Sequence, residues 1–285
     1  MQKRYGGFIM KRFTAIALAA LMLLSLVTLV ACGKKNEGTG DMEGYVAPSY
    51  KVDTATGVIT YADGVGETAI ITGYEPKVYT PHKISIPDKI GERTVTAIGD
   101  EAFKACASMN AVEIPATVTS IGKAAFYACD ALTEITLPAS LKTVSELAFA
   151  SCTALAKVNI ADNSSLIKIE NNAFDSCIAL ESFKLPAKLQ LIGEGAFRNC
   201  EKLSKVEIPE SVLEIGSQAY VGCDALNYDG CIVLTDKIEN LGGFDPEAKD
   251  PAVVVIFETD KSFIKAPENS YAAAFVAAMR DTSVE

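Results

Sequence analysis

Apolar residues recur through the middle of the chain at fixed phases of a 23-residue period. The aromatic phase holds Phe103, Phe126, Phe149, Phe174, Phe197 and Tyr220, separated by 23, 23, 25, 23 and 23 residues. Cys106, Cys129, Cys152, Cys177, Cys200 and Cys223 each follow the aromatic by three. Ile98, Ile121, Val144, Ile169, Ile192 and Ile215 share the spacing, and Ile238 would open a seventh unit. The unit reads Ile-Gly-x-x-Ala-Phe-x-x-Cys-x-x-Leu-x-x-Ile-x-Ile-Pro-x-x-Val-x-x, and residues 98–237 hold six copies. The long copy carries its extra residues within 161–165, where Asp162-Asn163-Ser164-Ser165 form a turn-prone bulge in place of proline.

One such unit cannot bury its own apolar phases; stacked units can, and the result is a solenoid. Leu-x-x-Ile-x-Ile ends in the alternation of a short strand. The proline behind it has no N–H to give a ladder and ends that strand. Ala-Phe-x-x-Cys suits a helical turn, with Phe and Cys three apart on one face. Neighbouring strands at ~4.8 Å would make a parallel sheet roughly 30 Å long from six units.

With six phases recurring in register, the pattern is similar to leucine-rich repeats, and within them to the BspA-type subclass of bacterial and protist surface proteins. The resemblance implies an α/β, β-rich, right-handed leucine-rich-repeat solenoid of short parallel strands and short helical turns. Standard leucine-rich repeats place Asn or Cys three residues beyond the strand's last apolar position. Here that place holds Thr117, Ser140, Lys188 and Ser211. The departure fits the subclass and gives no ground for borrowing the ligands of standard receptors.

The repeat also accounts for the cysteines. Stacking would bring the six thiols within disulfide range, yet a column of small buried thiols beside the aromatic column explains the phase more simply. Cys231, by the count of 23, replaces the last apolar strand residue of the sixth unit. Open solenoid ends expose core, so the flanks are expected to differ from the repeats. Residues 50–97 read as an N-terminal β cap with a half repeat at Ile84-Ser85-Ile86-Pro87. Residues 238–285 read as a C-terminal cap with a strand over 252–257 and a helix over 270–279, begun by Asn269 or Ser270.

The chain has a different character before residue 50. Lys11-Arg12 precede an apolar run over 13–31, and Leu29-Val30-Ala31-Cys32-Gly33 resembles a bacterial lipobox. A transmembrane helix could nearly fit nineteen residues, but small residues before Cys32 and the glycine-bearing polar segment after it suit a processed signal and a flexible tether. Residues 1–31 are therefore expected to be a signal peptide started from Met1 or Met10, and 32–49 a tether lipidated at Cys32. That implies a lipid anchor in a bacterial envelope, outside the cytoplasmic membrane.

Composition narrows the chemistry. In 285 residues, 26 Lys and Arg stand against 36 Asp and Glu, a net charge of −10 that becomes −14 once Lys3, Arg4, Lys11 and Arg12 leave with the signal. So acidic a chain lacks the basic stripe that nucleic acid requires. Its single histidine, His82, rules out a multi-histidine metal site. The sequence has no nucleophile elbow, phosphate loop or calcium loop, so neither enzymatic activity nor a cofactor is expected.

What the strands present outward is more informative. One row reads Ala111, Glu134, Lys157, Ser182, Lys205 and Tyr228; the next reads Glu113, Thr136, Asn159, Lys184, Glu207 and Gly230. Glu134, Lys157, Lys184, Lys205, Glu207 and Tyr228 are the candidate binding residues, since repeat proteins bind on extended repeat faces. Lys157, Lys184 and Lys205 would make a positive patch facing an anionic partner. The expected partner is an extracellular protein or glycan; the alternative is a structural spacer or envelope assembly module without an extracellular ligand, ahead of a hydrolase.

Overall fold

The computed structural model describes residues 49–228, 232–243, 256 and 264–281. The signal, most of the tether with Cys32, and Gly230 and Cys231 lie outside the described residues, as does all of the expected 252–257 strand but Ile256.

The strand motif forms where the alternation places it. β4 (His82–Ser85), β7 (Met109–Glu113), β9 (Glu134–Leu137) and β11 (Lys157–Ile160) make one parallel sheet in the order β11-β9-β7-β4. A bridge from Lys157 to Ser182 extends it by one coil. β14 (Val206–Glu207), β16 (Ile232–Val233) and β18 (Ile264–Lys265) form a separate parallel sheet on the same side. Each strand sends its alternate residues inward: Ile135 and Leu137 are buried, Glu134 and Thr136 exposed.

A second ladder runs along another side of the coils, at the Ile98 phase, which the sequence marks only as core. Two-residue strands β8 (Ser120–Ile121), β10 (Thr143–Val144), β12 (Lys168–Ile169), β13 (Leu191–Ile192), β15 (Glu214–Ile215) and β17 (Asn240–Leu241) pair in parallel one after another. β6 (Arg93–Ile98) joins this ladder to β3 (Thr68–Pro76), which pairs antiparallel with β2 (Gly57–Asp63) and through it with β1 (Ser49–Asp53). β5 (Lys89–Ile90) folds back on β6. The hairpin of β2 and β3 is thereby continuous with the solenoid, while β4, in the half repeat, pairs in parallel with β7.

The Ala-Phe-x-x-Cys segments are not helical. Ala124 and Ala128 have φ of 53° and 56°, and Leu147 and Ser151 of 59° and 61°; left-handed residues so placed exclude an α-helix. Each segment instead makes consecutive turns and hands alternate N–H groups to the next coil. Ala124, Phe126 and Ala128 donate to the carbonyls of Glu146, Ala148 and Ala150 at 2.8–2.9 Å. The i, i+3 spacing of Phe and Cys is thus the spacing of stacked turns. Among the described residues the one α-helix is α1 (Tyr271–Asp281), where Ser270 rather than Asn269 caps, its Oγ accepting the Ala273 N–H at 3.0 Å.

Inside the coils the two columns are as the period places them. The rings of Phe103, Phe126, Phe149, Phe174, Phe197 and Tyr220 stack nearly parallel, centroids 5.1–5.5 Å apart. The six cysteines beside them are buried thiols not joined in disulfides.

Register corrects two positions counted from the period. Val206 pairs with Ile232 and Ile215 with Leu241, each 26 residues on rather than 23. Three residues are therefore inserted between Leu226 and Ile232. Glu207 lies beside Val233 and not Gly230, and Leu234 rather than Cys231 matches Ile208. Leu241, not Ile238, takes the Ile98 phase; Ile238 falls three residues earlier, where Val118 and Val212 sit in their coils.

Candidate functional site

The outward rows of the strand face stand in register. Ala111 pairs with Glu134, Glu134 with Lys157 and Thr136 with Asn159. Rung by rung, cations and carboxylates meet across neighbouring coils. Lys157 Nζ lies 3.4 Å from Glu134 Oε1, which also accepts from Asn159 Nδ2 at 2.6 Å. These donors hold the Glu134 carboxyl below its ordinary range, Asn159 first and Lys157 next. Lys184 Nζ reaches Asp162 Oδ1 at 2.7 Å, and Lys205 pairs with Glu207 inside its own strand segment. At the other end Lys83 and Ser85 both donate to Glu113, the serine at 2.7 Å.

The three lysines expected to form a positive patch are thus each matched by a carboxylate. The face is charge-balanced, although the chain is strongly acidic. Tyr228 does not continue the Lys205 row. The three-residue insertion removes it from the strand and places it in the segment ahead of β16, 42% exposed. The apolar triplet Ile232-Val233-Leu234 was the sequence signal for the true register, since it alone restores Ile-x-Ile after Leu226.

Other sequence features find structural roles. His82 Nδ1 donates to the Thr80 carbonyl at 2.8 Å, so its Nε2 accepts from the Tyr74 hydroxyl at 3.1 Å. Where the asparagine ladder is missing, hydroxyls stand in: Ser140 Oγ lies 2.7 and 2.6 Å from the Ala116 and Val118 carbonyl oxygens, which share its one hydrogen, and Ser211 Oγ donates to Leu189 at 2.6 Å. The cysteine column bonds between coils too. Cys129, Cys152, Cys177, Cys200 and Cys223 donate from Sγ to the carbonyl of the aromatic residue one coil back, at 3.1–3.3 Å. Burial pushes the Cys177 and Cys200 thiols well above their usual range.

Coils of this length, with a strand on one side and a thiol at a fixed inner phase, match one known kind of repeat. Residues 96–227 match the BspA type leucine rich repeat region in six copies. The match spans just under half of the chain, whose coils there are similar to BspA-type leucine-rich repeats. Of solved structures, the leucine rich repeat protein of T. pallidum is 28% identical, with a TM-score of 0.59, over 73% of this chain and 97% of its own. A leucine-rich repeat protein from Eubacterium ventriosum is 29% identical over 61% of this chain and 51% of its own, at a TM-score of 0.49. A leucine rich cell surface protein from Faecalibacterium prausnitzii is 16% identical at a TM-score of 0.27, over 78% and 96% of the two chains. No curated protein matches the sequence.

Proposed function

We propose that this repeat protein is anchored by lipid on Cys32 to the outside of a bacterial envelope and binds an extracellular protein or glycan through its strand face. The observation that carries the binding role is the register of that face. It holds an array of exposed polar side chains from several coils at fixed spacing on a rigid stack, which is how solenoids present extended binding surfaces. A leucine-rich-repeat solenoid is ordinarily a scaffold for binding rather than for catalysis, but a fold alone does not fix function and the face must supply it. The anchor rests on the lipobox-like Leu29–Gly33 and the polar tether behind it.

The second reading is a spacer without a ligand, favoured by the pairing of Lys157, Lys184 and Lys205 with carboxylates of the same sheet. The test is retention of extracellular-matrix proteins and oligosaccharides by the wild type and by a folded Lys157→Glu/Lys184→Glu/Lys205→Glu variant. The binding reading expects capture by the wild type and loss in the variant; a wild type that captures nothing favours the spacer. For the anchor, Cys32→Ala should end incorporation of a labelled fatty acid, and labelling that persists would overturn it.

A further inference from the structure

The long sheet leaves a main-chain edge open at the N-terminal tip of the solenoid. β1 (Ser49–Asp53) is its end strand and pairs on one side, with β2. Thr54, just past β1, donates its N–H to the Gly57 carbonyl at 2.8 Å, in the register that sets Val52 against Ile59 and Tyr50 against Tyr61. Bonded pairs alternate along an antiparallel ladder. Tyr50 and Val52 therefore direct their main-chain groups to β2, and the N–H and C=O of Ser49, Lys51 and Asp53 point away from it. Among the described residues nothing pairs with that outer edge.

An open edge is a template for another strand, and this one complements itself. Val52 is buried, while Lys51 and Asp53 stand exposed on the other face of the strand. Two copies of β1 related by a two-fold axis run antiparallel. With Lys51 opposite its own copy, the pairing sets like charges across the axis, which is destabilising. Centred on Val52 instead, it sets Lys51 against Asp53 of the second copy on both sides of the axis, and each facing pair exchanges both main-chain bonds. Within one chain Lys51 lies 3.7 Å from Glu75, and Asp53 lies 3.2 Å from Lys77. The second copy thus continues an alternation of charge across the strands. β4, which ends the strand-face sheet at the same tip, turns Lys83 and Ser85 outward and has no acid to face its lysine.

We propose that β1 is a dimerisation edge: two copies of this chain join tip to tip through antiparallel β1 strands centred on Val52, and their long sheets become one. The contact is small, and the anchor proposed above strengthens it. The two Ser49 residues lie ~20 Å apart across the joined edge. The 17 residues 32–48 span up to ~55 Å when extended, so both chains reach one membrane and are held there at high effective concentration.

The experiment traps the pair by disulfide in the full chain in mild detergent, so it does not depend on the anchor. Val52→Cys sets a thiol beside the axis, where facing Cα atoms of a non-bonded pair are ~4.5 Å apart and within disulfide range. In the register centred on Lys51 the same thiols are two residues out of line and beyond that range. Two controls set the background: the wild type for native cysteines, and Ala116→Cys, an exposed site off the edge, for chance collision. Under a mild oxidant, Val52→Cys should give at least tenfold more dimer on non-reducing electrophoresis than either. Adding Lys51→Glu should cut that dimer at least tenfold with unchanged circular dichroism, and adding Asp53→Lys as well should restore it. Sedimentation reads the same contrast without any new cysteine: association of the wild type should weaken at least tenfold in Lys51→Glu and return in Lys51→Glu/Asp53→Lys. Trapping no greater than in Ala116→Cys, or association that Lys51→Glu leaves unchanged or the charge exchange fails to restore, overturns the inference.

Discussion

The thiol of Cys152 donates a hydrogen bond to the main-chain carbonyl of Phe126 one coil back, Sγ to O 3.1 Å. That carbonyl already accepts the Cys129 N–H at 3.3 Å, so the thiol fills the oxygen's second lone pair. The phase therefore calls for a small side chain with a donor. Alanine would fill much of the space and leave the bond unmade.

Cys152→Ala should destabilise by about 1–2 kcal/mol, through the lost hydrogen bond and a small void. The hydrogen bond with the Cys152 thiol, and then burial, push Cys129 far above its usual range, and burial does the same for Cys177 and Cys200. Thiols so held are protonated at neutral pH and present no nucleophile. The six column cysteines should stay unmodified by an alkylating reagent in the folded protein and react on denaturation; mass spectrometry counts the adducts.

Phe149 lies between the rings of Phe126 and Phe174 at 5.1 and 5.2 Å, fully buried. Phe149→Ala should cost about 3–5 kcal/mol. Lys157→Ala, which removes an exposed ion pair, should cost roughly 0.5 kcal/mol or less. Denaturant titration of both variants measures the contrast, and similar losses would show the ring column to be misassigned.

Ala105 is exposed and has φ of 56°, a conformation that costs a residue with a Cβ about 1–2 kcal/mol. Glycine costs the unfolded chain less than that in added freedom. Ala105→Gly should raise stability by about 0.5 kcal/mol, the reverse of the usual sign. Units five and six already carry glycine at one such place each, Gly195 and Gly222.

Hydrogen bonds from Lys83 and Ser85, and then the charge of Lys83, hold the Glu113 carboxyl below its ordinary value of 4.5. The folded state thus favours the ionised form. Its contribution is present at neutral pH and fades as pH falls through the lowered value. In Lys83→Met the Glu113 titration followed by NMR should move up toward 4.5, and the small stability difference from wild type should vanish in acid.

The strands and the two inner columns were legible because each is fixed by a recurring apolar phase. The ladder of β8 to β17 was not: a strand such as Ser120–Ile121 is too short to alternate, and its bonds run to residues a full coil away. Nor does an alanine announce positive φ, which is why the turns at Ala124 and Ala128 resembled helix. On the strand face the sequence showed the lysines and Glu134 and Glu207, but not that Asp162 of the bulge would reach Lys184 from the coil before. Tyr228 was misplaced because a count of 23 passes over the inserted residues, though Ile232-x-Leu234 marks where the strand resumes. Phe183 was visible as an aromatic at an aliphatic phase, but not its edge-on packing against Phe174 and Phe197.

The two long coils have a further effect on how the chain finds its fold. Units this alike could stack one rung out of step, each Phe lying on the wrong neighbour with nearly the same contacts. The bulge around Ser164 and the insertion ahead of Ile232 break that equivalence. Ser164 Oγ accepts the Leu166 N–H at 3.2 Å inside its own coil, where four other units carry Pro115, Pro138, Pro186 or Pro209 after the strand. A skipped rung would force one of the extra loops between coils with no space for it. Unequal spacings thus work as marks on a ruler, penalising the misaligned stacks that a perfect repeat would allow.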